Sequence, residues 1–95
     1  MALMRSRYSA FVLGLDDYLL QTWHASTRPT ETRLSDPRTR WLGLEVLKHE
    51  VQDADHAKVE FVARSKQAGR ANRLHETSRF VREAGRWYYL DGEVC

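Results

Sequence analysis

The residues of this chain best suited to chemistry are an imidazole, at His24, and two carboxylates, at Glu76 and Asp91. A proton-transfer site needs such groups in a mostly apolar pocket, because burial moves the pKa of a carboxyl or an imidazole toward neutrality. In this hypothesis His24 and Glu76 form the acid and base pair, and Ser78 donates a hydrogen bond. The alternative is structural: Glu76 faces solvent or pairs with an arginine, and His24 places a cation at a helix end, where the dipole favours it. The structural interpretation is favoured.

Aromatic side chains accompany these candidates in the predicted pocket. Trp and Tyr can line a ligand site because each offers a large apolar surface and one polar group. Aromatic residues at strand alternation, however, more often fill a core. Both interpretations stay open for the predicted pocket residues, which are Trp23, Trp41, Ser78, Phe80 and Tyr89.

Two short helices are expected to position the N-terminal part of this site. Arg5 and Arg7 fall on the side of the first helix that is predicted to face solvent. Gly14 should end that helix, because glycine readily adopts the left-handed conformation. Asp16 or Asp17 should then cap the second helix by accepting a backbone hydrogen bond. The predicted apolar stripe comprises Met4, Tyr8, Phe11, Val12 and Leu15.

Strands rich in β-branched and aromatic residues are expected after a polar connection at positions 25 to 40. The first strand spans positions 41 to 52, and its apolar face switches near Val46 and Leu47. Such a switch predicts a bulge, which bends a sheet. The second strand, at positions 57 to 64, alternates between apolar and charged residues and therefore has one covered face.

The last third of the chain predicts a hairpin. A polar loop at positions 65 to 72 precedes it, and a two-residue turn at Ala84 and Gly85 would pair Phe80 with Tyr89. A glycine bulge at the turn would shift these pairs by one residue. In the unshifted register one face carries Leu74, Glu76, Ser78, Phe80, Trp87, Tyr89 and Asp91.

The predicted fold is α+β, with N-terminal helices packed on a curved antiparallel sheet of about four strands in a single cone-like domain, residues 1 to 95. With 15 basic and 13 acidic residues and a net charge of +2, nucleic acid is not an expected partner. No apolar run approaches the roughly 18 residues that span a bilayer. Arg5 and Arg7 also stand where a signal peptide would have its apolar core, so we expect a cytoplasmic protein. The single cysteine, Cys95, permits neither an internal disulfide nor a cysteine zinc cluster, and no metal or cofactor is expected.

The sequence resembles the central domain of the bacterial YchJ family over essentially its whole length. The matching segments are ALMRSRYSAFVLG at positions 2 to 14, DYLLQTWH at 17 to 24, WLGLEVL at 41 to 47, VEFVAR at 59 to 64, and HETSRFVRE and GRWYYLDGEV between 75 and 94. The resemblance implies the nuclear-transport-factor-two-like (NTF2-like), or SnoaL-like, cone. Family members usually carry a cysteine-rich SEC-C zinc motif before the first of these segments. This chain lacks that motif, so no zinc function carries over.

The resemblance implies no established activity. Cones of this kind are similar to a group that includes ketosteroid isomerase and polyketide cyclases, in which an acid or base works in an apolar pocket. The favoured hypothesis is a non-catalytic module that binds an unidentified small ligand or protein. The alternative is a small acid-base enzyme of isomerase, cyclase or dehydratase type. A homodimer through the outer sheet face, with Tyr88 and Leu90 exposed, is a further expectation.

Overall fold

The computed structural model describes residues 2 to 95 as two helices followed by a four-stranded sheet. The strands are antiparallel and lie in chain order, β1-β2-β3-β4, so each strand pairs with its sequence neighbour. The predicted α+β architecture is therefore confirmed. The elements are α1 (Ala2–Leu13), α2 (Asp16–Gln21), β1 (Thr39–Asp53), β2 (His56–Gln67), β3 (Arg70–Glu83) and β4 (Arg86–Val94).

The first helix ends where predicted, at Gly14, whose φ of +72° is the left-handed conformation that glycine adopts freely. Its buried face differs from the predicted stripe. Arg7 is buried, although it was expected in solvent, whereas Val12 and Leu15 are 48% and 50% exposed. The reason is that α2 packs on the Arg7 side of α1, where the Leu19 carbonyl accepts a hydrogen bond from Arg7 Nη1 at 2.7 Å.

The predicted aspartate cap of α2 was wrong. Leu15 occupies the cap position and makes no side-chain hydrogen bond there. Asp16 is the first residue of the helix and accepts hydrogen bonds from the backbone N–H and the hydroxyl of Ser35, at 2.9 and 2.8 Å. These bonds stabilise the carboxylate and lower the pKa of Asp16. The carboxylate thus ties the connecting segment to the helix.

Irregular pairing curves the sheet along β1. The register between β1 and β2 shifts on either side of Leu42, Leu47 and Gln52, where β1 has a residue without a partner. The shift at Leu47 confirms the bulge that the sequence predicts. Each extra residue bends the strand and increases its twist, so the sheet forms a concave face.

Two of the three hairpins, β2–β3 and β3–β4, turn through two residues with positive φ. The pairing of Phe80 with Tyr89 around Ala84 and Gly85 confirms the predicted register. The predicted loop at positions 65 to 72 was wrong, because Ala68 and Gly69 alone form the turn and the flanking polar residues extend the strands. Primed turns of this kind match the twist of the strands that they join.

The helices cover the concave face, where the core lies. Its buried apolar cluster comprises Met4, Val59, Phe61, Ala63 and Phe80. Leu19 of α2 is fully buried as well. Within residues 2 to 95, neither helix has the length and apolar character needed to cross a bilayer.

We expect a Leu19→Ala substitution to lower the free energy of unfolding by about 2–5 kcal/mol, because it leaves a cavity beneath α2. Urea unfolding followed by circular dichroism measures this change. Leu13→Ala is the matched control, since Leu13 is 69% exposed; it should change stability by less than about 0.5 kcal/mol. Equal effects from the two substitutions would contradict the packing described here.

Candidate functional site

A cavity of about 260 Å³ lies between α1 and the concave face of the sheet. Its wall is mainly apolar, but it includes one basic and one acidic side chain. All five predicted pocket residues line it, and so does Glu76. The lining residues are Met4, Arg7, Tyr8, Phe11, Trp23, Trp41, Phe61, Ala63, Leu74, Glu76, Ser78, Phe80 and Tyr89.

Arg7 is the charged group of this cavity that the sequence pattern missed. Its side chain is only 5% exposed, and Nη1 donates hydrogen bonds to the Leu19 carbonyl, at 2.7 Å, and to the Thr22 hydroxyl, at 2.6 Å. The guanidinium carbon lies 5.2 Å from the ring centre of Trp23 and 4.5 Å from that of Tyr89. Burial lowers the pKa of Arg7 to about 10, so the side chain stays charged at neutral pH.

Trp23 and His24 diverge because their segment pairs with β4. Tyr89 N–H donates to the Thr22 carbonyl at 2.7 Å, and His24 N–H donates to the Tyr89 carbonyl at 2.8 Å. Successive side chains in extended backbone point to opposite sides. Trp23 therefore packs edge to face on Tyr89 inside the cavity, with ring centres 4.9 Å apart. His24 points outward.

The outward position of His24 separates it from Glu76. Its Nδ1 accepts a hydrogen bond from Ser26 N–H, so Nε2 carries the ring proton and donates a hydrogen bond to the Glu83 carboxylate at 2.7 Å. His24 is not among the residues lining the cavity. The predicted acid-base pair of His24 and Glu76 was wrong, since a non-local backbone pairing sets the direction of the imidazole.

Glu76 enters the cavity as the sequence predicts. Ser78 Oγ donates to its carboxylate at 3.2 Å. The carboxylate lies directly over Gly92 of β4: a methyl group at position 92 would come within 2.7 Å of Glu76 Cδ. Gly92 thus provides the space in which the acidic side chain sits.

Asp91 lies on the other face of the sheet, so its predicted place beside Glu76 was wrong. The register of β3 and β4 shifts between Tyr89 and Asp91, because Leu90 is an extra residue in β4. A one-residue shift moves each following side chain to the opposite face. Asp91 consequently forms an ion pair with Arg79 on the convex face, which holds the pKa of this carboxyl below its usual value.

Comparison with known proteins agrees with this architecture. The family model described as "YchJ, middle NTF2-like domain" matches residues 1–92. The chain belongs to the YchJ family. A UPF0225 protein of Polaromonas naphthalenivorans is 67% identical over 97% of this chain and 67% of its own length. A UPF0225 protein of Bordetella pertussis is 61% identical over 98% of this chain and 70% of its own.

Two solved structures of SEC-C motif containing proteins share the fold. The solution structure from Rhodopseudomonas palustris has a TM-score of 0.88 and 34% identity, covering 99% of this chain and 77% of that one. The crystal structure from Psychrobacter arcticus has a TM-score of 0.70 and 37% identity, covering 98% and 59%. The chain therefore corresponds to the middle domain of longer YchJ proteins, and the NTF2-like fold is confirmed.

On the convex face of this YchJ domain, Glu60, His75 and Cys95 bring potential metal ligands within 4.8 Å of one another. The sequence did not predict this group, because the three residues are far apart in the chain and meet only through the sheet. Tyr88 and Leu90, the expected dimer contacts, are half-buried, and the dimer stays a prediction. Tyr88 packs edge to face on His24, with ring centres 6.0 Å apart.

Tyr89 should ionise well above the ordinary tyrosine pKa of 10. Burial, and then the charge of Glu76, raise the pKa of Tyr89 to about 12, against an opposing effect of Arg7. Because the folded pKa lies above the ordinary value of 10, this group's contribution to stability is complete below pH 10 and is lost as the pH rises toward 12.

Tyrosinate absorbance measured against pH checks this expectation. Tyr89→Phe should remove a step near pH 12, while circular dichroism confirms that the chain stays folded. Loss of a step near pH 10 instead would show that the Tyr89 hydroxyl is not buried against Arg7 and Glu76.

Proposed function

We propose that this domain is a non-catalytic binding module for a small, mainly apolar molecule that carries one anionic group. The observation that supports it is the buried guanidinium of Arg7 in the wall of a mainly apolar cavity, whose other charged side chain is Glu76. A buried charge without an ionic partner costs several kcal/mol. None of the ion pairs among residues 2 to 95 includes Arg7.

The unused donors of Arg7 fit an anion. Its two side-chain hydrogen bonds within the described chain both leave from Nη1, so Nε and Nη2 remain available. A guanidinium binds carboxylate or phosphate oxygens through such parallel donors. The rings of Trp23 and Tyr89, which the guanidinium contacts, and the hydrogen bonds to Leu19 and Thr22 hold the group in place, which lowers the entropic cost of binding.

The remaining wall fits an aromatic or compact aliphatic body. Phe61, Phe80 and Trp41 supply flat apolar surfaces, and 260 Å³ lies near the lower end of typical ligand pockets, about 300–1,000 Å³. Trp23 Nε1 is buried and has no hydrogen-bond partner within residues 2 to 95. An acceptor on the ligand would satisfy this donor.

Binding of 2-naphthoate tests the proposal, with neutral 2-naphthalenemethanol as the matched probe. The domain should prefer the carboxylate by about tenfold, or ~1.4 kcal/mol, because the anion pairs with Arg7. Arg7→Met should abolish this preference while retaining the neutral probe. Isothermal titration and chemical-shift changes of the cavity residues measure both affinities.

Two further variants keep the outcome interpretable. Arg5→Met, which removes an exposed arginine from the same helix, should bind both probes as the parent does. Ala63→Leu fills the cavity and should weaken both probes together. Binding of the carboxylate that persists in folded Arg7→Met, or that Ala63→Leu does not change, would refute the proposal.

A small acid-base enzyme is the second candidate, because Glu76 faces the cavity and accepts a hydrogen bond from Ser78. Without His24, this carboxylate would have to act alone as the base. We expect no acceleration of α-proton exchange of 1-tetralone in D₂O, measured by NMR. Acceleration that Glu76→Gln abolishes, with Asp91→Asn as the unaffected control, would favour the enzyme.

A further inference from the structure

Three side chains from different parts of the chain converge on the convex face of the sheet, away from the cavity. Glu60 alternates with the cavity residue Phe61, and His75 lies between Leu74 and Glu76, which line the cavity. Their side chains therefore point to the opposite face. Cys95 follows β4 and joins them there, with one potential ligand atom from each residue within 4.8 Å of the others.

Backbone pairing holds this group together. Glu60 and His75 belong to the paired strands β2 and β3, and His75 Nε2 lies 2.6 Å from a Glu60 carboxylate oxygen. The Cys95 N–H donates to the His75 carbonyl at 2.9 Å, which extends the β3–β4 pairing by one residue. The Cys95 sulfur also lies 3.7 Å from the hydroxyl of Thr77. The cysteine is thus positioned by two contacts besides the metal-ligand group itself.

We propose that Glu60, His75 and Cys95 bind a divalent transition-metal ion of the Zn²⁺ class. Carboxylate, imidazole and thiolate are the three ligand types that Zn²⁺ takes in proteins, whereas Mg²⁺ and Ca²⁺ prefer oxygen ligands alone. The metal replaces the proton between Glu60 and His75, and the thiol loses its proton to solvent, so binding releases protons. Three protein ligands leave a fourth tetrahedral position for water.

The side chains can close on an ion without movement of the sheet. Metal-to-ligand distances of about 2.0–2.3 Å place tetrahedral ligand atoms roughly 3.3–3.8 Å apart. The 2.6 Å separation of His75 and Glu60 must therefore widen slightly, while the Cys95 sulfur, within 4.8 Å of both, needs only a small adjustment. His75 and Glu60 are 28% and 33% exposed, and Cys95 is exposed, which leaves their rotamers free to adjust. The proposal is independent of the cavity and its ligand.

Titration of the reduced chain with Co²⁺ tests the site, because thiolate–Co²⁺ coordination gives a charge-transfer band and tetrahedral geometry gives intense visible bands. We expect one Co²⁺ per monomer and displacement by Zn²⁺. Cys95→Ser should abolish the charge-transfer band. His75→Asn and Glu60→Gln should weaken binding and reduce the visible bands, whereas His49→Asn, an exposed histidine outside the group, should change neither.

Three results would overturn the proposal. The first is absence of a charge-transfer band in the parent chain. The second is equal Co²⁺ affinity in the parent and folded His75→Asn. The third is one metal per two chains with dimer formation on addition of metal, which would mean that Cys95 bridges two chains rather than completing a site within one. Circular dichroism establishes that each variant is folded.

Discussion

The buried guanidinium of Arg7 is the contact on which the arrangement of this domain depends. It joins α1 to α2 through the Leu19 carbonyl and Thr22, and it stacks on Trp23 and on Tyr89 of β4. One side chain therefore fixes both helices and the edge of the sheet. These contacts offset part of the cost of desolvating the guanidinium. Each charge-assisted hydrogen bond contributes roughly 1.5–3 kcal/mol, and each cation–π contact contributes up to about 2 kcal/mol. The part of the cost that remains belongs to a positive charge that faces a mainly apolar cavity.

The curvature of the sheet makes that cavity possible. A flat four-stranded sheet would press the apolar faces of Phe61 and Phe80 against α1 and leave no volume between them. The bulges of β1 bend one side of the sheet, and the extra residue Leu90 re-aims the end of β4 on the other. The same irregularity that sends Asp91 outward brings Gly92 beneath Glu76. The extra residue in β4 thus provides the space that the Glu76 side chain occupies in the cavity.

The sequence predicted those structural features that depend only on residues close together in the chain. The turn at Ala84 and Gly85, the end of α1 at Gly14 and the bulge at Leu47 follow from glycine conformations and alternation, and each is confirmed. The direction of His24 depends on its pairing with Tyr89, 65 positions away, which no window of sequence contains. Arg7 was missed because periodicity classes arginine as polar. Its i+4 neighbour Phe11 and i−3 neighbour Met4 are a signal in the sequence that its position faces the core.

The two edges of the sheet differ in how open they are to another strand. The pairing of Thr22 and His24 with Tyr89 occupies part of the β4 edge, whereas β1 offers a 15-residue edge. A regular strand of that length would be a template for intermolecular pairing and aggregation. Three unpartnered residues interrupt it, and Lys48 and Glu50 lie along it. The irregularities that shape the interior of the molecule therefore also protect its solubility, and a substitution that straightened β1 would threaten both.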